Sequence, residues 1–213
     1  MPTSDVNKLI AVIGATGRTG RLVIEQALIR GNSVVALARR PEAVDLADPR
    51  VRVTRADVLD RDSLRGVFEG CDAVISALGV GTSKDATEVY SKGIANVLAE
   101  MECAETNKLA VVSAAPVGPP EDHPGSELTA LWRFFGATYT DMQRMEAVLT
   151  ASDATWISIR PPRLLAKPAF GSYRIGLKPP KKGRAIRYPD LATALLDVLD
   201  QPQFFRTAPY ISN

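Results

Sequence analysis

Long apolar runs are missing from this 213-residue chain. A membrane-spanning helix needs about 18 or more consecutive apolar residues, and no such run occurs. The segment from Met1 to Lys8 is short and polar, so no signal peptide is expected. Cysteine is scarce. Cys71 and Cys103 are the only two, in no metal-binding or redox spacing, and they read as inert thiols of a reducing compartment. Histidine is scarcer still. His123 stands alone in Glu121-Asp122-His123-Pro124-Gly125, a loop context that reads as solvent-exposed rather than catalytic. No metal site is expected. Excess charge of one sign is also lacking: the net charge is +2, too small to point to nucleic acid. The cations Lys178, Lys181, Lys182, Arg184 and Arg187 are interrupted by Pro179, Pro180 and Gly183. They read as a solvated loop that can assist an anionic ligand. No internal repeat or low-complexity segment stands out. With 46% hydrophobic and 23% charged residues, the chain suits one compact α/β domain over 1–213. The expectation is a soluble, cytoplasmic protein, a monomer or small homo-oligomer, with no membrane or nucleic-acid partner.

What the chain does have begins at Leu9-Ile10-Ala11-Val12-Ile13. This apolar run stops at Gly14-Ala15-Thr16-Gly17-Arg18-Thr19-Gly20 and is followed by apolar residues at helical spacing, Leu22, Val23, Ala27 and Ile29. Strand, glycine turn and helix in this order cradle the pyrophosphate of a dinucleotide. The first glycine permits the tight turn, the second lets backbone approach the phosphates, and the third lets helix and strand pack closely. The anion then sits on free N–H groups at a helix N-terminus. The spacing is G-x-x-G-x-x-G, not the G-x-G-x-x-G of the commonest dehydrogenases. Three glycines alone are a weak sign. Between a buried strand and an amphipathic helix they are a strong one.

Gly31-Asn32 ends the helix, and Ser33 to Ala38 reads as a second buried strand. Its end lies about 20 residues past the glycine motif, where an acid for the ribose of NAD is expected. Arg39 and Arg40 stand there instead. A carboxylate repels a 2′-phosphate, whereas a guanidinium grips it with charged hydrogen bonds. With Arg18 inside the turn, this points to NADP(H).

The remaining chain alternates strands and helices. Val51 to Ala56, Asp72 to Leu78, Lys108 to Ser113 and Thr155 to Ile159 read as buried strands. Helices are expected over about Asp62–Phe68, capped by Asp62 or Ser63, over about Ala86–Ala104, and with interruptions up to about Ala151. Continuous apolar strands between helices imply a Rossmann-type doubly wound parallel sheet. A small C-terminal substrate lobe is expected from about Pro162, with a short strand at Ser172–Gly176, a helix at Pro189–Leu199 and a last strand at Ala208–Ser212. The segments Gly14–Gly20, Arg39–Arg40, Asp57–Leu59, Ala77–Gly81, Ser113–Pro116 and Pro161–Leu164 all fall at carboxyl ends of strands. They are expected to form one groove.

These residues resemble the atypical short-chain dehydrogenase/reductases. The resemblance rests on the glycine turn, Arg39-Arg40, Ala56-Asp57-Val58, Ser76-Ala77-Leu78-Gly79 and Ile159-Arg160-Pro161-Pro162, in that order over nearly the whole chain. More narrowly, the chain resembles the single-domain NAD(P)H-binding group that includes biliverdin-IXβ/flavin reductase and NmrA-like proteins. The resemblance implies that the backbone of Thr16, Gly17, Arg18 and Thr19 holds the pyrophosphate, and that Arg18, Arg39 and Arg40 hold the 2′-phosphate. It implies that Asp57 and Val58 flank the adenine, and that Ala77, Leu78 and Gly79 pack on the adenosine ribose and pyrophosphate. Ser113 would lie beside the nicotinamide ribose, and Pro161, Pro162 and Leu164 would close over the nicotinamide. From the residues alone, Asp57 also suits a turn cap and Gly79 a strand breaker.

Other members of the superfamily use Tyr-x-x-x-Lys, in which the ammonium lowers the phenol pKa for proton donation. Here Tyr139 is followed at that spacing by neutral Gln143. Flavin-reductase relatives carry a histidine after the Pro-Pro pair, where this chain has Arg163. Arg163, Ser113 and Tyr139 are thus the candidate catalytic residues. Arg163 offers a cation or donor to an acceptor oxygen, Ser113 a hydroxyl, and Tyr139 is the reserve proton donor. Leu128, Leu131, Trp132, Phe134 and Phe135 border the expected substrate mouth or pack in the core. Two functions fit: an NADPH-dependent reductase of a small planar or carbonyl acceptor (flavin, quinone or aldehyde), or a non-catalytic NADP(H)-sensing regulator of the NmrA kind. Hydride transfer to a stacked acceptor does not require a protein acid, because the cofactor carries the chemistry.

Overall fold

Six short segments, apolar except for the mixed edge strand, pair in parallel, each connected to the next by a crossover. They are β1 (Leu9–Ile13), β2 (Ser33–Ala38), β3 (Val51–Arg55), β4 (Ala73–Ser76), β5 (Lys108–Val112) and β6 (Thr155–Ile159), in the order β3-β2-β1-β4-β5-β6. The computed structural model describes residues 7–81, 85–122, 126–180 and 183–213, with backbone alone at 126–129. The central strands are apolar on both faces because both faces are covered. α1 (Arg18–Ile29) and α4 (Tyr188–Asp197) bury one face, with Ile10, Val12, Val34, Ala36 and Ile75 beneath them. α2 (Ser91–Cys103) and α3 (Ser126–Ala151) cover the other, over Ala11, Val35, Val74, Leu109 and Val111. This is a Rossmann-type sheet. The strand order reverses between β1 and β4, which opens a crevice above their carboxyl ends.

Beyond β6, β7 (Arg163–Leu165) pairs in parallel with β9 (Ala185–Arg187), and β8 (Arg174–Gly176) pairs antiparallel with β10 (Tyr210–Ser212). The chain leading into β10 also runs beside β6. Ser158 N–H donates to the Thr207 carbonyl at 3.0 Å, and Arg160 N–H to that of Pro209 at 2.8 Å. A largely buried ion pair secures this corner. Arg160 Nη2 lies 2.5 Å from Glu146 Oε2 of α3, and Ser158 Oγ donates to Glu146 Oε1.

Three expected elements differ in extent. The helix expected from Ala86 begins at Ser91, because the buried Asp141 carboxylate on α3 accepts the N–H groups of Tyr90 and Ser91 and the Ser91 hydroxyl. The helix expected over 62–68 is a 3₁₀ turn, Arg61–Leu64, whose Ser63 hydroxyl bonds back to the Asp57 and Asp60 carbonyls. α3 runs without interruption for 26 residues. No helix among the described residues is long and apolar enough to cross a membrane.

Leu195 of α4 is fully buried against α1 and the sheet. Leu195→Ala is expected to cost about 2–5 kcal/mol, read as a lower denaturant midpoint. An unchanged midpoint would show that α4 adds nothing to the core.

Candidate cofactor and active site

The carboxyl ends of the strands enclose a groove of about 790 Å³. Its floor depends on two close backbone approaches. Gly14 has φ +79°, and a Cβ there would come within 2.6 Å of the Ala77 carbonyl oxygen. Gly20 lies beneath, where a Cβ would collide with the Gly14 carbonyl oxygen. So β1, β4 and the start of α1 meet with no room for a side chain. A helix leaves its first amides without intrahelical acceptors. No side chain caps those of α1, and no acidic residue occupies its first turn. The macrodipole there favours an anion. These features fit the diphosphate of a dinucleotide.

The walls bring together most of the residues singled out in the sequence. Gly14, Thr16, Gly17, Arg18, Thr19, Arg39, Asp57, Val58, Ala77, Leu78, Gly79, Ser113, Pro161, Pro162 and Leu164 all line the groove. Gly20 supports the floor from below, and Arg40 is exposed beside the wall, before the 3₁₀ turn Pro41–Ala43. The side chains of Arg39 and Arg40 have no ion pair or hydrogen bond among the described residues. Asp57 Oδ1 accepts the Leu59 N–H at 3.0 Å, so this carboxylate also holds its own turn. Thus the turn-capping role and the groove position coexist in one side chain.

The three catalytic candidates separate. Ser113 lines the groove, is 2% exposed, and its Oγ has no hydrogen-bond partner among the described residues. An orphaned buried hydroxyl costs about 1–3 kcal/mol, a cost that a ligand oxygen in the groove would relieve. Arg163 is exposed at the start of β7 and does not line the groove, whereas Leu164 does. Successive strand residues face opposite ways, so the leucine takes the inward side. Tyr139 lies off the walls. It packs edge-on to Trp132 at 5.4 Å between ring centres and tilted to Phe135 at 6.0 Å. Burial pushes its phenol above the ordinary value, which makes it a weaker acid. Gln143 is exposed, and Met142 of α3 supplies the wall residue instead. His123, Lys181 and Lys182 lie outside the described residues, as does the side chain of Leu128. Among the described residues no group of three His, Cys, Asp or Glu could hold a metal.

Several wall residues escaped the sequence reading. The stretch before α2 contributes Thr87, Val89 and Tyr90, and α4 contributes Tyr188. Burial raises the Tyr90 phenol above its ordinary value. Four of the five residues before α2 that read as helix, Ala86, Thr87, Val89 and Tyr90, are instead groove wall, because Asp141 caps the helix late. Tyr188 gave no signal: only the docking of α4 on α1 brings it there.

A family described as NAD(P)H-binding matches residues 14–202. The chain belongs to that family. One relative is cinnamoyl-CoA reductase 1 of Oryza sativa subsp. japonica, 38% identical over 100 residues, 43% of this chain and 30% of that protein. Another, an uncharacterized chloroplastic protein of Arabidopsis thaliana, is 30% identical over 176 residues, 78% of this chain and 62% of its own length. The chain thus spans less than two thirds of either relative. Among solved structures, ChuY, an anaerobillin reductase of Escherichia coli O157:H7, matches with a TM-score of 0.80 at 21% identity, over 96% of both chains. That match shows the shared fold.

Gly14→Ala is expected to lower stability by about 1–3 kcal/mol through the strained φ, and to weaken nicotinamide-dinucleotide binding as Ala77 is pushed away. Thermal unfolding and cofactor titration of the same sample check both effects. Wild-type affinity in a destabilised variant would separate the floor from the binding site.

Proposed function

We propose that this protein is an NADPH-dependent reductase of a small planar or carbonyl acceptor, of the flavin, quinone or aldehyde class. The observation that carries the reading is Ser113: a buried hydroxyl without a partner, on a wall shared with the apolar Met142, Pro161, Pro162 and Leu164. Such a wall suits an apolar, flat ligand with one oxygen to satisfy. Bound in the groove, the nicotinamide supplies a hydride. Ser113 Oγ–H donates to the acceptor oxygen as negative charge develops there. Solvent water supplies the balancing proton, because Tyr139 lies off the wall and its raised phenol is a poor donor. Met142, Pro161, Pro162 and Leu164 give the acceptor an apolar wall to lie against.

Arg39 supports NADPH over NADH. It lines the groove at the end of β2 and holds a charge that no carboxylate among the described residues neutralises. Arg40 stands next to it. A guanidinium hydrogen bond to a 2′-phosphate is worth about 1.5–3 kcal/mol, against about 0.3–1 kcal/mol for an anion at an exposed helix terminus. The arginines therefore decide between the cofactors, and the α1 terminus serves both alike. Of the relatives, the rice protein and ChuY are named as reductases, which supports catalysis over the sensing alternative.

The test combines binding and turnover. Calorimetry should give the wild type at least about tenfold tighter binding of NADPH than of NADH, and Arg39→Asp should remove most of that difference. NADPH oxidation is then followed against flavins, quinones and aldehydes. With the best acceptor, Ser113→Ala should cut turnover by about 100-fold at unchanged NADPH affinity. Tight NADPH binding with no turnover of any acceptor would favour the sensor, and equal binding of the two cofactors would refute the NADP(H) preference.

A further inference from the structure

Arg18 carries a charge that the fold holds without a carboxylate. Its guanidinium carbon lies over the Tyr188 ring, 4.9 Å from the centroid, and it has no ion pair among the described residues. A guanidinium resting on a π-face keeps N–H groups for an anion. A carboxylate partner would have to be displaced first. Both side chains line the groove.

The ring is fixed in place. Tyr188 is the half-buried first residue of α4, and Pro189 follows it. Gln26 Nε2 of α1 donates to the Pro189 carbonyl at 2.9 Å, and Thr193 Oγ1 donates to Gln26 Oε1 at 2.8 Å. Further along the same two helices, Arg30 pairs with Asp197 at 2.7 Å. From the other side, the buried Asp190 carboxylate accepts the N–H groups of Phe170 and Gly171 at 2.9 and 3.0 Å. Tyr188 and Arg18 therefore start two helices that are bolted together.

The direction of the contact matters. β9, which runs into α4, pairs with β7, and Ile186 lies in register with the groove residue Leu164. The 3₁₀ turn after α4, Val198–Asp200, touches β5. Tyr188 thus reaches α1 from the β5 side. Arg39 stands on the opposite side of β1, at the end of β2. Arg18, the first residue of α1, is held over Tyr188 rather than toward the end of β2, and the start of α1 is where a dinucleotide places its diphosphate.

We infer that Tyr188 is a positioning residue of the cofactor site. Its ring holds Arg18 toward the diphosphate common to NADPH and NADH and leaves recognition of the 2′-phosphate to Arg39 and Arg40. The inference rests on reading the groove as a nicotinamide-dinucleotide site. It reassigns Arg18, which the sequence pattern groups with the 2′-phosphate ligands.

The experiment is equilibrium titration of the full chain with NADPH and, separately, with NADH. Arg18→Ala should weaken both by the same factor, about tenfold or more. Tyr188→Leu, which keeps bulk but removes the π-face, should weaken both equally, by about threefold to tenfold. Tyr188→Phe keeps the face and should restore affinity to within about twofold of wild type. The double variant Arg18→Ala/Tyr188→Leu should bind no more weakly than Arg18→Ala, because one residue acts through the other. Wild-type affinity in Tyr188→Leu, additive losses, or a loss confined to NADPH overturns the inference. If Tyr188→Leu does not fold, the cofactor ratio in Arg18→Ala decides: unchanged supports the assignment, altered overturns it. Equal binding of the two cofactors by the wild type would refute the NADP(H) preference, while the common loss factor would still decide the role of Tyr188.

Discussion

A carbonyl oxygen at Ala77 and a Cα hydrogen at Gly14 occupy space that no side chain can share. A Cβ on Gly14 would sit 2.6 Å from that oxygen, at a φ of +79° that L residues rarely adopt. This approach closes β1 onto the end of β4 at the point where the strand order reverses. The helix that follows must then start directly above the junction, and Gly20 lets it settle onto the Gly14 carbonyl. Every other feature of the groove hangs from that corner. The α1 amides point into the crevice only because the turn is this tight, and Arg18 and Arg39 flank it because they begin the helix and end the adjacent strand.

The chain after β6 completes the site from the far end of the sequence. α4 fills the same layer as α1, and its core residues belong to the same cluster as Val23 and Ile24. Side-chain bonds through Gln26 and Thr193 then set the two helices at a fixed spacing. On the opposite face the buried Asp141 does comparable work, since its carboxylate joins α3 to the first turn of α2. Breaking one partner of such a buried charged contact is costly, because the remaining group stays desolvated. Both devices act on the groove without contacting a ligand.

Much of this was legible in the sequence for a physical reason. The central parallel strands are buried on both faces, so β2 and β6 appear as largely apolar runs whose observed bounds, Ser33–Ala38 and Thr155–Ile159, coincide with those read from the sequence. The glycine turn and Arg39 mark strand ends, which in this topology are groove walls. β7 and β9 were not legible, because three residues carry no periodicity and their pairing is decided by the docking of α4. The start of α2 was misplaced because its cap comes from Asp141, far along the chain. Tyr139 kept the helical spacing of a proton donor, yet the groove side of α3 belongs to Met142, and aromatic packing claims Tyr139. Spacing places residues on one face of a helix, but packing decides which face meets the site.

The open amides at the start of α1, beside the Gly14–Ala77 corner, are the proposed seat of the diphosphate of the nicotinamide dinucleotide. The most direct measurement is the change in backbone amide resonances when NADP⁺ is titrated into the isotopically labelled protein. The account predicts the largest shifts at Gly17 to Gly20 and at Ala77 to Gly79, with Arg39 and Arg40 moving in the same titration. Saturable shifts elsewhere, with the resonances of Gly17 to Gly20 unmoved, would contradict it.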